Sequence, residues 1–132
     1  MTRHRTLRWL GPSALLIAAH AAPAFAVTPE EFRLRSGADL VALCATATTD
    51  PLYTAAIHMC HGFGAGIFQT LTALARHDKL EPIVCPPEPT PSRNETVGRF
   101  LEWSRRNPQY ASEPAAELVG RFFITTFPCR AK

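Results

Sequence analysis

Two histidines and a cysteine lie close together in the segment His58-Met59-Cys60-His61, which is the best candidate for a metal site. His58 and His61 are separated by about one helical turn, so the two rings could share one face of a helix. A zinc site needs three or four converging ligands, and Cys60 is lost as a ligand if it forms a disulfide. The sequence therefore favours a surface pair of histidines, and it predicts neither a metal nor another cofactor.

Other residue types that could perform catalysis are dispersed along the chain. No thiolate is available as a nucleophile if the cysteines are bonded, and no serine has the surroundings of a nucleophile elbow. Glu30-Glu31 is typical of a helix start rather than of an acid/base pair. No predicted strand comes before Gly62, Gly64 and Gly66, and no lysine directly follows them, so they do not form a phosphate loop. We assign no catalytic residue and expect a protein that acts through its surface rather than as an enzyme.

The N-terminal residues have the pattern of a secretory signal peptide. A basic stretch is followed by a short apolar run that ends in Ala24-Phe25-Ala26. A charged start, a short apolar middle and an A-x-A end are typical of a cleavable signal, and the run is too short for a comfortable membrane span. We predict a signal peptide over residues 1–26, cleaved after Ala26, and a single mature domain over residues 27–132. An uncleaved N-terminal anchor is the alternative.

The predicted cleavage changes the charge balance of the protein. Removing Arg3, Arg5 and Arg8 from the 14 basic residues leaves 11, which equals the 11 acidic residues. The formal net charge of the mature domain is then zero, so a nucleic acid or an anionic membrane loses its main electrostatic support as a partner. We expect no nucleic-acid partner and, after cleavage, no association with a membrane.

All four cysteines, Cys44, Cys60, Cys85 and Cys129, lie in the predicted mature domain. An even number of cysteines in a short exported chain indicates disulfides, because the bacterial periplasm oxidises thiols. Free, buried thiols are the alternative. We expect two disulfides and a periplasmic location.

Helical periodicity predicts an all-α fold, a small single-domain bundle of four to five helices. No segment shows the alternating pattern of a half-buried strand. Start and stop signals predict a short first helix from Thr28-Pro29 to Ser36-Gly37 and a second helix over residues 39–45. A long third helix runs from Asp50-Pro51 to Arg76-His77. The fourth helix runs from the cap at Ser92 to about Arg106, and the last begins at Ser112-Glu113-Pro114 and ends before Pro128.

The long third helix is apolar nearly all round, which predicts a central, buried helix. Gly62 and Gly66 lie four residues apart on one of its faces. Each glycine costs on the order of 1 kcal/mol relative to alanine in a helix, so a packing reason is expected. Either another helix approaches closely at Gly62 and Gly66, or the helix has a local kink there.

Residues 81–92 are rich in proline, which predicts a stiff, extended segment attached at Cys85. Cys44 ends one predicted helix and Cys60 lies early in the next, so these two cysteines are neighbours across a helical hairpin. The last two helices form a second hairpin, whose open end brings Cys129 back towards Cys85. The topology therefore predicts the pairs Cys44–Cys60 and Cys85–Cys129.

Two loops are candidate surfaces for a partner, because rigid scaffolds often present binding residues on loops. The first is the proline-rich segment, with Glu81 and Glu88. The second is the turn that follows the fourth helix, although an ordinary polar turn is the alternative. Arginine and tyrosine dominate interface hot spots, so we assign partner binding to the following residues of this turn: Arg105, Arg106, Asn107, Gln109 and Tyr110.

The order of several motifs resembles the Rap/Tai family of type VI secretion immunity proteins. The resemblance covers about residues 36–129, and its most specific parts are Cys60-x-Gly62-Phe63-x-x-Gly66 and the terminal Phe127-Pro128-Cys129. The other matching motifs are Leu40-x-x-Leu43-Cys44, Cys85-x-Pro87, Asn107-Pro108 and the segment from Pro114-Ala115 through Arg121.

Membership of this family would imply a small all-helical fold, a periplasmic location and a homodimer. It would also imply a papain-like peptidoglycan amidase effector as the partner, whose active-site cleft a protruding loop blocks. Disulfides and a stiff loop would suit this role, because a preformed surface lowers the ordering cost of binding. The alternative function is a stand-alone periplasmic helical protein with a stress or chaperone-like role, and an envelope enzyme is the third possibility.

Overall fold

The structure, a computed structural model, describes residues 26–129, which form four α-helices and two single-turn 3-10 helices. The α-helices are α1 (Gly37–Cys44), α2 (Tyr53–His77), α3 (Arg93–Arg106) and α4 (Ala115–Thr126), and the 3-10 turns are Glu31–Arg33 and Pro108–Tyr110. Within this part of the chain no strand forms, apart from one isolated bridge between Val84 and Pro128. The predicted all-α bundle is thus confirmed. The predicted signal peptide lies outside the described residues except for Ala26.

The last helix, α4, contributes more buried residues than any other helix of the described chain. Its inner stripe buries Leu118, Val119, Phe122 and Phe123. The Phe122 ring lies at the centre of an aromatic cluster, with ring centroids 5.4 Å from Phe100 and 5.3 Å from Phe123. Burying one such side chain contributes on the order of 2 to 3 kcal/mol, so this stripe is a main source of stability.

The prediction that the long helix is buried was wrong in its extent. α2 contacts the other three helices, but only Ala56 and Cys60 of its 25 residues are buried. At 1.5 Å per residue α2 is about 37 Å long, whereas the 12 residues of α4 span about 18 Å. The shorter helices cannot cover α2 along its whole length, so its C-terminal turns keep exposed apolar side chains.

The glycines of α2 face open space in this chain. The helix is continuous, and a Cβ added at Gly62, Gly64 or Gly66 would meet nothing within 4 Å. No described element of the chain makes a close approach at Gly62 and Gly66, which was one of the two alternatives for these glycines. An approach by another chain stays a prediction.

The predicted first helix is a single 3-10 turn, and the predicted stop signal after it is a helix start. Leu34 adopts a left-handed conformation with φ 49°, which ends the Glu31–Arg33 turn. Ser36 is then the N-cap of α1: its side chain accepts from the Asp39 N–H at 3.3 Å, and the Asp39 carboxylate accepts from the Ser36 N–H at 3.0 Å. α1 therefore begins at Gly37, two residues before the predicted position.

Ser92 forms the capping box that the sequence predicts for α3. Its hydroxyl accepts from the Glu95 N–H at 3.2 Å, and the Glu95 carboxylate accepts from the Ser92 N–H at 2.7 Å. Hydrogen bonds with the Ser92 side chain and then with its backbone lower the pKa of Glu95 below its ordinary value of 4.5. The pKa of the Glu31 carboxyl is lowered in the same way, by hydrogen bonds from Thr28.

Acid should therefore weaken the fold partly through Glu95. A carboxyl group with a lower pKa in the folded chain stabilises it above the unfolded pKa, and this contribution disappears as the pH falls through the folded value. Between pH 7 and pH 3, the free energy of unfolding should drop more steeply for the wild type than for Glu95→Gln. Urea unfolding followed by circular dichroism measures both. Glu81→Gln is the control, since Glu81 makes no hydrogen bond or ion pair among the described residues. Parallel curves for the wild type and Glu95→Gln would contradict the prediction.

Both predicted disulfides are confirmed. Cys44 is bonded to Cys60 with their Cα atoms 5.2 Å apart, and Cys85 to Cys129 with theirs 4.9 Å apart. The first joins the end of α1 to α2 within the core. The second joins the proline-rich segment to the residues after α4, beside the hydrogen bond from the Cys85 N–H to the Phe127 carbonyl at 2.8 Å.

Candidate partner-binding surface

Two exposed apolar side chains, Leu80 and Ile83, lie together just after the end of α2, and we call this surface the apolar tip. Their exposed fractions are 63% and 48%. Leu80 and Ile83, together with Leu71 and Ala75 of α2, line a small groove of about 70 Å³. Exposed apolar groups concentrated in one place are typical of interaction sites, whereas single ones are common on any surface.

The position of Leu80 follows from the way in which α2 ends. Lys79 adopts a left-handed conformation with φ 54°. The Leu80 N–H then donates to the Ala75 carbonyl at 2.8 Å, and the Lys79 N–H to the Arg76 carbonyl at 3.4 Å. These two bonds form a Schellman motif, which turns the chain back and places the residue after the turn against the last helical turn. Leu80 is thereby fixed beside α2 while most of its side chain remains exposed.

The rim of the apolar tip carries both signs of charge. Arg76, Lys79 and Glu81 are exposed, and the His77 ring lies 2.8 Å from the Asp78 carboxylate. An apolar centre with a polar, charged rim is the usual composition of a protein–protein contact. The mixed charges favour a protein partner over a strongly charged polymer.

Sequence reasoning missed the apolar tip. It identified Glu81 and Glu88 of the proline-rich segment, which are both exposed, but it singled out neither Leu80 nor Ile83. A partial signal was present: Leu80 and Ile83 lie in or beside a proline-rich stretch that cannot continue a helix, so helical periodicity gave no reason to expect their burial.

The predicted binding turn after α3 divides into exposed and internal residues. Arg105, Arg106 and Gln109 are exposed. The Asn107 side chain donates to the Trp103 carbonyl at 2.8 Å, and thereby closes the end of α3. The Tyr110 ring stacks on Trp103 with centroids 5.9 Å apart. Two of the five predicted contacts thus have internal contacts of their own.

Arg121 also packs on the Tyr110 ring. Its guanidinium lies 4.9 Å from the ring centroid, and its Nε donates to the Glu113 carboxylate at 2.7 Å. The hydrogen bond to Glu113 raises the pKa of Arg121. The Tyr110 ring therefore contacts both Trp103 and Arg121 and is only partly exposed.

The segment from His58 to His61 does not bring a set of metal ligands together among the described residues. Within residues 26–129 no group of three or more His, Cys, Asp or Glu side chains could hold a metal ion. Cys60 is bonded to Cys44 and so cannot act as a thiolate ligand, and His58 is exposed. Among the residues that the structure describes, the Nε2 atom of His61 is buried and has no hydrogen-bond partner.

A larger apolar groove of about 210 Å³ lies between α2, the start of α3 and the end of α4. Phe68 of α2, Phe123 of α4 and Phe127 just after α4 line one side of it. Pro86 and Pro91 of the proline-rich segment line the other side. Arg93 is its charged lining residue. The proline-rich segment therefore forms a wall of this groove and also one side of the apolar tip.

The sequence from the cap of α1 to the last cysteine matches a known family. Residues 36–129 fit the family model described as Rap1a immunity proteins. The chain belongs to this family. The resemblance to the Rap/Tai immunity proteins, drawn from the order of the motifs, is thereby confirmed. No curated protein and no solved structure matches the chain.

The matched span of this Rap1a immunity protein includes the whole of the site described above. It contains the four α-helices, both disulfides and the apolar tip. Membership of an immunity family implies that the chain binds an effector partner, so its surface is where a functional contact is sought. No helix within residues 26–129 is both long and apolar enough to cross a bilayer.

Proposed function

We propose that this protein is a periplasmic immunity protein that binds a papain-like peptidoglycan amidase effector of type VI secretion and blocks its active-site cleft. Its membership of the Rap1a immunity proteins supports the binding of an effector. The amidase and the secretion system come from the resemblance in motif order. The protein itself needs no catalytic group or cofactor for this role.

The apolar tip is the observation that supports this function most directly. It lies at the end of the longest helix, where Leu80 and Ile83 keep 63% and 48% of their surface exposed. A cleft that closes over these two side chains would bury apolar area, which is the main driving force of protein association. We propose that the tip and the adjoining proline-rich segment enter the effector's cleft.

The way in which the tip is held would favour tight binding. The Schellman turn fixes Leu80, and the Cys85–Cys129 disulfide ties the following residues to α4. Prolines at five positions of residues 81–92 further restrict the backbone. A surface that is ordered before it binds loses less conformational entropy on association.

A periplasmic location is supported by two independent features. The N-terminal residues have the pattern of a cleavable signal, and all four cysteines of the mature part are paired in disulfides. Disulfides persist in the oxidising periplasm and are rare in the cytosol. Peptidoglycan, the substrate of the proposed effector, is in the same compartment.

We also propose that the protein is a homodimer. The face of α2 around Gly62 and Gly66 has open space where a Cβ would lie, and Met59 is exposed close to it. Glycines that no described element of the chain requires would allow a helix of a second copy to approach closely. The turn residues Arg105, Arg106 and Gln109 remain a proposed second contact with the effector.

The test uses the mature protein, residues 27–132, in oxidised form. We expect it to form a stoichiometric complex with a papain-like amidase from its own cell and to stop cleavage of purified peptidoglycan. Light scattering during gel filtration gives the mass of the free protein and of the complex. A free mass of one chain would contradict the homodimer.

If none of the cell's papain-like amidases binds or is inhibited, the immunity function is wrong. Capture of many unfolded envelope proteins instead would favour the chaperone-like alternative. The reduced and alkylated protein is the control, because loss of both disulfides removes the preformed surface.

A further inference from the structure

The two disulfides differ in their access to solvent. Cys44 and Cys60 are 6% and 4% exposed and belong to the apolar core. Cys85 is exposed and Cys129 is half-buried. Reduction begins with the attack of a thiolate on a disulfide sulfur, so access to that sulfur limits the rate. A dithiol can reach Cys85 in the folded protein, whereas Cys44 and Cys60 first need the core to open.

The position of the proline-rich segment depends on the Cys85–Cys129 disulfide. Prolines carry no N–H, so the segment has few backbone donors. Among the described residues, the hydrogen bond that joins it to another element runs from the Cys85 N–H to the Phe127 carbonyl, at 2.8 Å. Val84 packs against the core, and Pro86 and Pro91 line the larger groove. The disulfide is the covalent part of this attachment.

We propose that the Cys85–Cys129 disulfide is a redox-sensitive latch, whose reduction by a dithiol frees the proline-rich segment while the helical core stays folded. A thiolate of the dithiol attacks Sγ of Cys85, and Cys129 leaves as a thiolate. The second thiol of the reductant then displaces Cys85 from the mixed disulfide. Two electrons and, through solvent, two protons pass to the protein, which gains two thiols while the dithiol becomes a disulfide.

The latch would regulate effector binding, and this consequence rests on the proposed function. Leu80 keeps its Schellman turn after reduction, but Ile83 lies between that turn and the freed Cys85. The segment then has to be ordered again on binding, which costs conformational entropy. Selective reduction should weaken binding of the amidase by about tenfold or more.

The first experiment uses the free protein and needs no effector. Increasing dithiothreitol is added under native conditions, and new thiols are alkylated and located by mass spectrometry. We expect Cys85 and Cys129 to be labelled well before Cys44 and Cys60, with an unchanged helical circular dichroism spectrum. Labelling of all four cysteines together, or only when the helical signal is lost, would overturn the proposal.

Amide exchange then tests whether the segment is released. The Cys85 N–H is the reporter, because its partner is the Phe127 carbonyl. Its exchange should become about tenfold faster or more in the selectively reduced protein, with little change in the amides of α4. The double variant Cys85→Ser/Cys129→Ser should show the same fast exchange without reductant. Unchanged protection of the backbone amide at position 85 in both proteins would overturn the release.

The binding measurement separates this inference from the proposed function. Affinity for the amidase is measured with the oxidised protein, the selectively reduced protein and the double variant. Equal affinities in the three forms would overturn the regulatory consequence. If the oxidised protein binds no amidase, the proposed function is wrong and its regulation with it, whereas the latch itself is decided by labelling and exchange alone.

Discussion

Replacing both Leu80 and Ile83 with aspartate is expected to weaken amidase binding by about a hundredfold or more. Each substitution would place a charge where the proposed complex buries an apolar side chain, and burial of an unpaired charge is costly. The free energy of unfolding should change little, because 63% and 48% of these side chains are exposed in the free protein. Calorimetric titration of the amidase and urea unfolding of the free variant measure the two effects.

Ile124 provides a matched control for this double substitution. It is also an exposed large apolar residue, but it lies on α4 rather than at the end of α2. Ile124→Asp should bind the amidase with nearly the affinity of the wild type. A comparable loss for Ile124→Asp would show that any added negative charge weakens binding, and would remove the support for the apolar tip.

The double variant Arg105→Ala/Arg106→Ala distinguishes the two proposed surfaces. Both arginines are exposed, and the ion pair of Arg106 with Glu102 is long, at 3.6 Å. Such exposed pairs contribute little to stability, so the variant should fold normally. If it loses binding while Leu80→Asp/Ile83→Asp does not, the effector binds at the turn after α3.

Local signals in the sequence were sufficient where a helix end is determined by its own residues. Ser92 and Glu95 cap α3 through hydrogen bonds between positions three apart, and the spacing alone predicts them. The same motif at Ser36 and Asp39 was missed because Gly37 resembled a stop signal. At Gly37 a Cβ would lie 2.6 Å from Leu118 of α4, far along the sequence, and no local pattern can show such a contact.

The disulfide pairs could be predicted because the order of the helices limits which cysteines meet. Burial could not be predicted so well. Periodicity identifies an apolar face, but it does not show how much of that face the other helices cover. α2 has apolar residues on most sides, yet it extends past the shorter helices, and its exposed end became the candidate site.

The apolar tip depends on a turn that has no local sequence signature. Helices that end in a Schellman motif usually have glycine at the left-handed position, because a side chain there is strained. This chain has Lys79 at that position, with φ 54°. The turn that aligns Leu80 with α2 is therefore visible only in the structure.

Gly37→Ala is expected to lower the free energy of unfolding by about 1 to 3 kcal/mol, the usual cost of overpacking a core. Gly37 is buried at the start of α1, where a Cβ would lie 2.6 Å from Cδ2 of Leu118 and 3.2 Å from its Cβ. Leu118 is only 1% exposed, so its side chain has little room to move away. Urea unfolding of the variant and the wild type measures the loss.

Gly98→Ala is the control for this prediction, because it adds the same methyl group to a helix where a Cβ meets nothing within 4 Å. It should leave stability unchanged or raise it by up to about 1 kcal/mol, since alanine is the better helix former. A double-mutant cycle then identifies the clash. In a Leu118→Ala background, which itself costs about 2 to 5 kcal/mol, Gly37→Ala should lose most of its effect. If the cost of Gly37→Ala is the same in both backgrounds, contact with Leu118 is not its cause, and the requirement for glycine lies in the backbone of the α1 N-terminus instead.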